Sequence, residues 1–273
     1  MTVMPYQAAP QPAYYTPNGL AVASAVTQAR RKVQGPSILV HAPQKRGKSS
    51  MADSGPRPVL ILDVETASFW TPSRKIYWEP KRETCPQADG SWDSCIVIIH
   101  DYDDLWWLLD FLNKGAHPFN SVSLDSVTTI LQRVMMNLAG IRKMTQDQWG
   151  ILLRQVTGLV WGYRDLLTHP WRPVWSVTFV CGTHWHDKTG KWRPLLMGQS
   201  QDVVPYTPDI EGWIEIGQDG FTRQLLIGPQ PYIETGNRLW GRLPDSLNLG
   251  YPGVLPGWTV ETMAAEVIKS QLQ

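Results

Sequence analysis

A chain of 273 residues, 42% of them hydrophobic and 18% charged, is long enough to bury one sizeable core, which excludes disordered and fibrous classes. Its 25 basic residues against 24 acidic ones leave a formal charge of +1, so any contact with nucleic acid requires a local patch. Cys85, Cys95 and Cys181 are too few and too scattered for a disulfide framework. No stretch approaches the roughly 20 apolar residues that cross a bilayer, so a cytoplasmic protein with no membrane partner is expected.

Residues 1–30, with Pro5, Pro10, Pro12 and Pro17 among Tyr, Gln and Ala, predict a disordered arm, with at most a short helix over 21–31. Order is expected from the apolar run 37–41, the first of several buried strands, followed by 58–63 and 94–99. Asp101, Asp103 and Asp104 suit a helix start, and Leu105, Leu108, Leu109 and Leu112 recur at helical spacing before Gly115 ends the segment.

A further strand over 121–125 precedes a helix over 127–138, and a long helical pattern over 147–167 precedes a strand over 174–181. Strands alternating with helices predict an α/β fold with a mostly parallel central sheet and helices on both faces. The runs 212–216 and 223–227 flank Gly217 and Gly220 and predict a C-terminal antiparallel hairpin closing one sheet edge. The expected division is an arm over 1–30, one domain over 31–250 and an extension over 251–273.

After the first strand, Ala42-Pro43-Gln44-Lys45-Arg46-Gly47-Lys48-Ser49 matches the phosphate-loop pattern G-x-x-x-x-G-K-[ST], with alanine in place of the first glycine. Such a loop turns backbone N–H groups onto phosphate oxygens, a lysine neutralises the β- and γ-phosphates, and a hydroxyl reaches Mg²⁺. Residues Ala42 to Ser50 are therefore the expected nucleotide-binding segment. Alanine is tolerated where the required φ is negative. The competing view is a basic surface loop.

Asp125, ending its strand, is the candidate partner of Ser49 in holding Mg²⁺, although strand-ending aspartates are common. In Asp63-Val64-Glu65, Glu65 falls at the carboxyl edge of the sheet and is the candidate general base.

The order of these parts resembles the RecA-type recombinase core, and more narrowly the phage-encoded RecA-like ATPases associated with single-strand annealing. The matching residues are Gly47-Lys48-Ser49, Asp63-x-Glu65, Leu124-Asp125-Ser126 and Val180-Cys181-Gly182-Thr183-His184, and the resemblance covers about residues 36–245. It implies an ATP·Mg²⁺ hydrolase acting in phage DNA recombination, annealing or replication in the host cytoplasm. It also implies a γ-phosphate-sensing residue at Thr183 or His184, and a finger reaching a neighbouring copy's nucleotide at Arg238, with Arg242 as alternate. Such a finger requires a homo-oligomeric ring or filament.

The segment after that strand carries Lys188, Lys191, Trp192 and Arg193. Cations interleaved with indoles suit single-stranded DNA, while the plainer view is a solvated hairpin whose tryptophans pack on the domain. His184-x-His186-Asp187 lacks further ligands at metal-binding spacing.

Two alternatives stand beside the ATPase. The run Leu62-Asp63-Val64-Glu65-Thr66 also resembles the first motif of DEDD-type 3′–5′ exonucleases, yet none of the six histidines has an aspartate five positions on. The other alternative is a nucleotide-binding assembly or accessory protein without hydrolysis.

Overall fold

In the computed structural model, which describes residues 33–239, 241–250 and 257–272, the apolar runs form strands whose carboxyl ends share one edge. These are β1 (Ser37–His41), β2 (Val59–Asp63), β3 (Lys75–Tyr77), β4 (Ser94–Ile98), β5 (Ser121–Asp125) and β6 (Ser176–Cys181). All their pairings are parallel, and β1, β2, β5 and β6 are buried at every position, which is why they read as unbroken apolar runs. The expected arm over 1–30 and its short helix lie outside the described residues.

Beyond β1 the sheet continues with β9 (Ile210–Ile216), β10 (Arg223–Leu226) and β12 (Ser246–Gly250), after a separate hairpin of β7 (Thr183–His186) and β8 (Lys191–Pro194). The order across the sheet is β12-β10-β9-β1-β6-β5-β2-β4-β3, with the two-residue β11 (Gly236–Asn237) also on β9. The fold is therefore α/β, with a large, mostly parallel mixed sheet.

The expected hairpin is present as β9 and β10, antiparallel to each other, but it does not close the sheet. β9 runs parallel to β1, and β12 pairs outside β10. The sequence Ser-Leu-Asn-Leu-Gly of β12 carries only two apolar residues, too weak an alternation to announce a strand.

Helices cover both faces of the sheet. Alternate strand residues such as Leu39, Leu60, Leu124 and Phe179 pack with the helices α2 (Tyr102–Asn113), α3 (Val127–Ala139) and α4 (Gln146–Asp165). The opposite residues, Ile38, Val40 and Val180, pack with Met51 and Ala52 of the short helix α1 (Lys48–Ala52) and with the last helix, α6 (Val260–Leu272), which follows the one-turn α5 (Ser200–Val203). Part of the expected C-terminal extension thus belongs to the core, with Val260, Met263, Ala264 and Val267 buried.

Helix boundaries follow local chemistry. Asp101 and Asp104 form a reciprocal capping box at α2, Thr145 and Gln148 another at α4, and Ser126 accepts from the backbone N–H of Thr129 at α3. The helix after the phosphate-loop motif is shorter than two turns, because Gly55-Pro56 cannot extend it.

Candidate active site

The loop between β1 and α1 turns sharply, with Lys45 at φ 61° and Gly47 at φ 96°. A β-carbon at the latter conformation is strained, so glycine is needed at position 47. Ala42 carries no positive φ and is fully buried, so the missing first glycine of the motif imposes no backbone conflict.

Beside this loop lies an open cavity of about 530 Å³, lined by Gln44, Lys45, Gly47 to Ser50, Glu65, Ala67, Trp70, Thr71, Asp125 and Arg223. The parallel register sets Asp63 of β2 level with Asp125 of β5, bringing Glu65 and Asp125 to the same sheet edge. Lys48, Ser49, Asp125 and Glu65, predicted from three separate stretches of sequence, thus face one space.

Lys48 curls back over its own loop, its Nζ donating to the carbonyls of Ala42 (3.1 Å) and Pro43 (3.0 Å). Burial depresses its pKa, while the nearby Asp125 and Glu65 work against that shift. Asp125 is 1% exposed, and burial pushes its carboxyl up to about 6, opposed by a hydrogen bond from Ser49 and reinforced by repulsion from Asp63 and Glu65. Its Oδ2 has no hydrogen-bond partner among the described residues. A buried, unsatisfied carboxylate oxygen beside a serine hydroxyl is a donor set that fits a small hard cation such as Mg²⁺.

Glu65 Oε1 accepts from the hydroxyls of Ser126 and Thr129, which fix the carboxylate at the cavity wall. Its backbone is held by Asp63. The Asp63 Oδ1 accepts from the N–H of Glu65 (3.0 Å) and of Ala67 (3.3 Å), while Oδ2 accepts from the N–H of Ser68 (2.9 Å) and from its hydroxyl. Asp63 is fully buried and engaged in four hydrogen bonds, so its carboxylate pins the turn after β2. Asp63→Ala orphans these donors and lowers stability by about 3 kcal/mol, measurable as a shifted urea midpoint.

Thr183 and His184, expected at the γ-phosphate, are not among the residues lining the cavity. Thr183 Oγ1 instead meets Nδ1 of His41 at 3.3 Å and donates to the carbonyl of Arg193 at 2.9 Å, joining the end of β1 to the β7–β8 hairpin. Ala42 and Pro43 contribute the carbonyls under Lys48, and Arg46 faces a neighbouring cleft.

His41 is fully buried and its Nε2 lies 2.8 Å from the Glu234 carbonyl and 4.0 Å from Glu211 Oε1. Burial lowers His41 to about 4 and raises Glu211 to about 8, the latter with help from nearby Glu234. At neutral pH the two form a neutral pair, despite a spacing that would suit an ion pair. A carboxyl whose folded pKa is raised contributes stability that is fully present below its unfolded value of 4.5 and lost as pH rises through about 8. Glu211→Gln therefore matches the wild type near pH 4 and exceeds its stability by up to about 4 kcal/mol above pH 8, as read from denaturant unfolding across pH.

The expected DNA-contact residues divide. Lys188 and Lys191 stay on the hairpin surface or its margin, and Trp185 and Trp192 are 43% and 37% exposed, stacked edge-on with centroids 5.7 Å apart. Trp192 also leans on Trp213 of β9. Arg193 does not belong with them. It is buried, paired with Glu234 and with Asp202 at 3.3 Å, because a guanidinium out of water needs acceptors on several sides.

Arg238 lies at the opposite sheet edge, where its backbone N–H meets the Asp209 carbonyl (2.9 Å) beside the start of β1 and its side chain donates to the Tyr206 carbonyl. Arg242 lines an open groove at the same end, with Gln34, Gly35 and Asp209. Neither reaches the cavity of its own chain.

Arg223, Trp70 and Thr71 line the cavity without having been singled out by sequence. Arg223 opens a strand that the sequence does indicate, but its approach to Gly47 depends on β10 reaching β1 through β9. Among the described residues no helix is long and apolar enough to cross a membrane. Compared with known proteins, the chain matches no protein-family model and no curated sequence.

Proposed function

We propose that this chain is a P-loop ATPase on a RecA-like core, binding ATP with Mg²⁺ in the cavity at the end of β1 and hydrolysing it to ADP and phosphate. The observation that carries the reading is the convergence of Lys48, Ser49, Asp125 and Glu65 on one open cavity. The RecA-like assignment rests on the resemblance, together with a mostly parallel sheet whose strands end at that cavity.

In this reading Lys48 leaves the Ala42 and Pro43 carbonyls and turns its ammonium onto the β- and γ-phosphates. The loop at Gly47 brings its backbone against the phosphate chain, which a side chain there would obstruct. Ser49 and Asp125 hold Mg²⁺, which supplies charge neutralisation when bound. Glu65, aimed by Ser126 and Thr129, orients a water and takes its proton as the oxygen attacks the γ-phosphorus and the bond to the ADP oxygen breaks.

The same reading extends to single-stranded DNA and to a homo-oligomer. The exposed Trp185–Trp192 pair with Lys188 and Lys191 suits stacking on unpaired bases beside a phosphate backbone. Arg238, away from the cavity of its own chain, would act in this reading on a neighbour's nucleotide as a trans finger in a ring or filament. A phage recombination, annealing or replication role follows from the resemblance alone.

The test is phosphate release from ATP, with Mg²⁺ and with EDTA, with and without single-stranded DNA. Mg²⁺-dependent turnover that is lost in Asp125→Asn supports the reading. Turnover that persists in EDTA, or that is indifferent to Asp125, contradicts it.

A further inference from the structure

A second cleft, of about 340 Å³, opens on the other side of α1 and shares Gly47, Ser50 and Arg223 with the phosphate-loop cavity. Its walls are unlike those of the cavity. Met51, Pro72, Leu249 and Trp258 supply apolar surface, and the volume lies within the range of small-ligand sites, roughly 300–1,000 Å³.

Trp258 is held firmly from behind. Its backbone N–H donates to the Asn248 carbonyl of β12 at 2.8 Å, and its ring is half-buried against the core that includes Leu247 and Val260. The preceding Gly257 passes so close to β12 that a β-carbon there would fall 2.2 Å from the Leu249 carbonyl carbon, so only glycine allows this approach. The following turn is tied to α1, because Ser54 Oγ accepts from the N–H of Val260 (3.0 Å) and the Ser54 carbonyl from the N–H of Glu261 (2.9 Å).

The two polar groups that follow α1 at the cleft floor, Asp53 and Ser54, are engaged within the protein, while Arg46 and Ser50 also border the cleft. Asp53 Oδ1 accepts from Ser73, Ser94 and Arg57, and the Ser54 hydroxyl donates to the Met51 carbonyl. Trp258 offers a ligand here an aromatic wall to stack on. Aromatic stacking grows with ring area, so a bicyclic base suits the Trp258 wall better than a monocyclic one.

We infer that this cleft takes the purine base of the nucleoside triphosphate whose phosphates occupy the adjoining cavity, with Trp258 as the stacking wall and Arg223 at the neck between the two. The inference rests on the P-loop reading above and names the substrate class of that site. It predicts preference for purine over pyrimidine nucleotides.

The probes are ATP, GTP, CTP, UTP and inorganic tripolyphosphate, each with Mg²⁺, titrated calorimetrically into the full chain. Tripolyphosphate reports the phosphate cavity alone, and the difference between ATP and tripolyphosphate reports the base. In the wild type, ATP and GTP bind about tenfold more tightly than tripolyphosphate, CTP or UTP. Trp258→Leu, which keeps apolar bulk against the core while removing the aromatic face, loses that advantage and leaves tripolyphosphate affinity within about twofold. Trp258→Phe retains most of it.

Equal binding of ATP and tripolyphosphate by the wild type, or of purines and pyrimidines, overturns the inference while leaving the phosphate site intact. So does a Trp258→Leu variant that weakens both ATP and tripolyphosphate alike or neither. If no probe binds at all, the P-loop reading itself has failed.

Discussion

Glu65→Gln lowers kcat for ATP hydrolysis by about 10²- to 10³-fold while leaving ATP affinity within about threefold. The amide is isosteric with the carboxylate and its oxygen still accepts from Ser126 and Thr129, so the cavity keeps its shape. The lost function is proton acceptance from the attacking water. Because Asp63 pins the backbone at Glu65 and Ala67, the variant side chain also remains at the cavity wall. Steady-state phosphate release paired with equilibrium binding separates the two quantities. An unchanged kcat removes Glu65 from the base role.

Lys48→Ala acts on binding instead. Truncating one partner of a largely desolvated charge pair costs about 2–5 kcal/mol, so ATP affinity falls by at least about thirtyfold. The fold survives, because Lys48 is a half-buried side chain on the wall of an open cavity rather than part of the apolar core. The thermal midpoint of the variant should therefore stay close to that of the wild type even though nucleotide no longer raises it. A variant that loses its midpoint along with its affinity would make Lys48 a structural residue.

The parts legible in the sequence were those written locally. The β1 and β5 strands announce themselves as buried apolar runs, and Gly47-Lys48-Ser49 and Asp125 stand at their ends, so the cavity's principal residues follow from strand identity and parallel pairing. Helix starts at Asp101, Ser126 and Thr145 carry their capping chemistry within four residues.

What was not legible depends on distant pairings. Arg193 looked like a surface cation, yet its acceptors Glu234 and Asp202 come from other segments, one of them 41 residues away. Asp63 and Glu65 looked like a matched acidic pair, and only the turn after β2 shows that one is buried as a pin while the other faces the cavity. Arg223 reaches Gly47, and Trp258 reaches α1, through strands β9, β10 and β12, whose order across the sheet no local pattern encodes. Strands of two or three residues, such as β3 and β11, are too short for any periodicity to register.

The cavity at the end of β1 is read above as a nucleotide site. Calorimetric titration of the wild-type chain with ATP in Mg²⁺ tests it most directly. Saturable binding is expected, with a dissociation constant between about 1 μM and 1 mM, abolished in Lys48→Ala. Absence of binding at millimolar ATP, or binding that Lys48→Ala leaves unchanged, would contradict it.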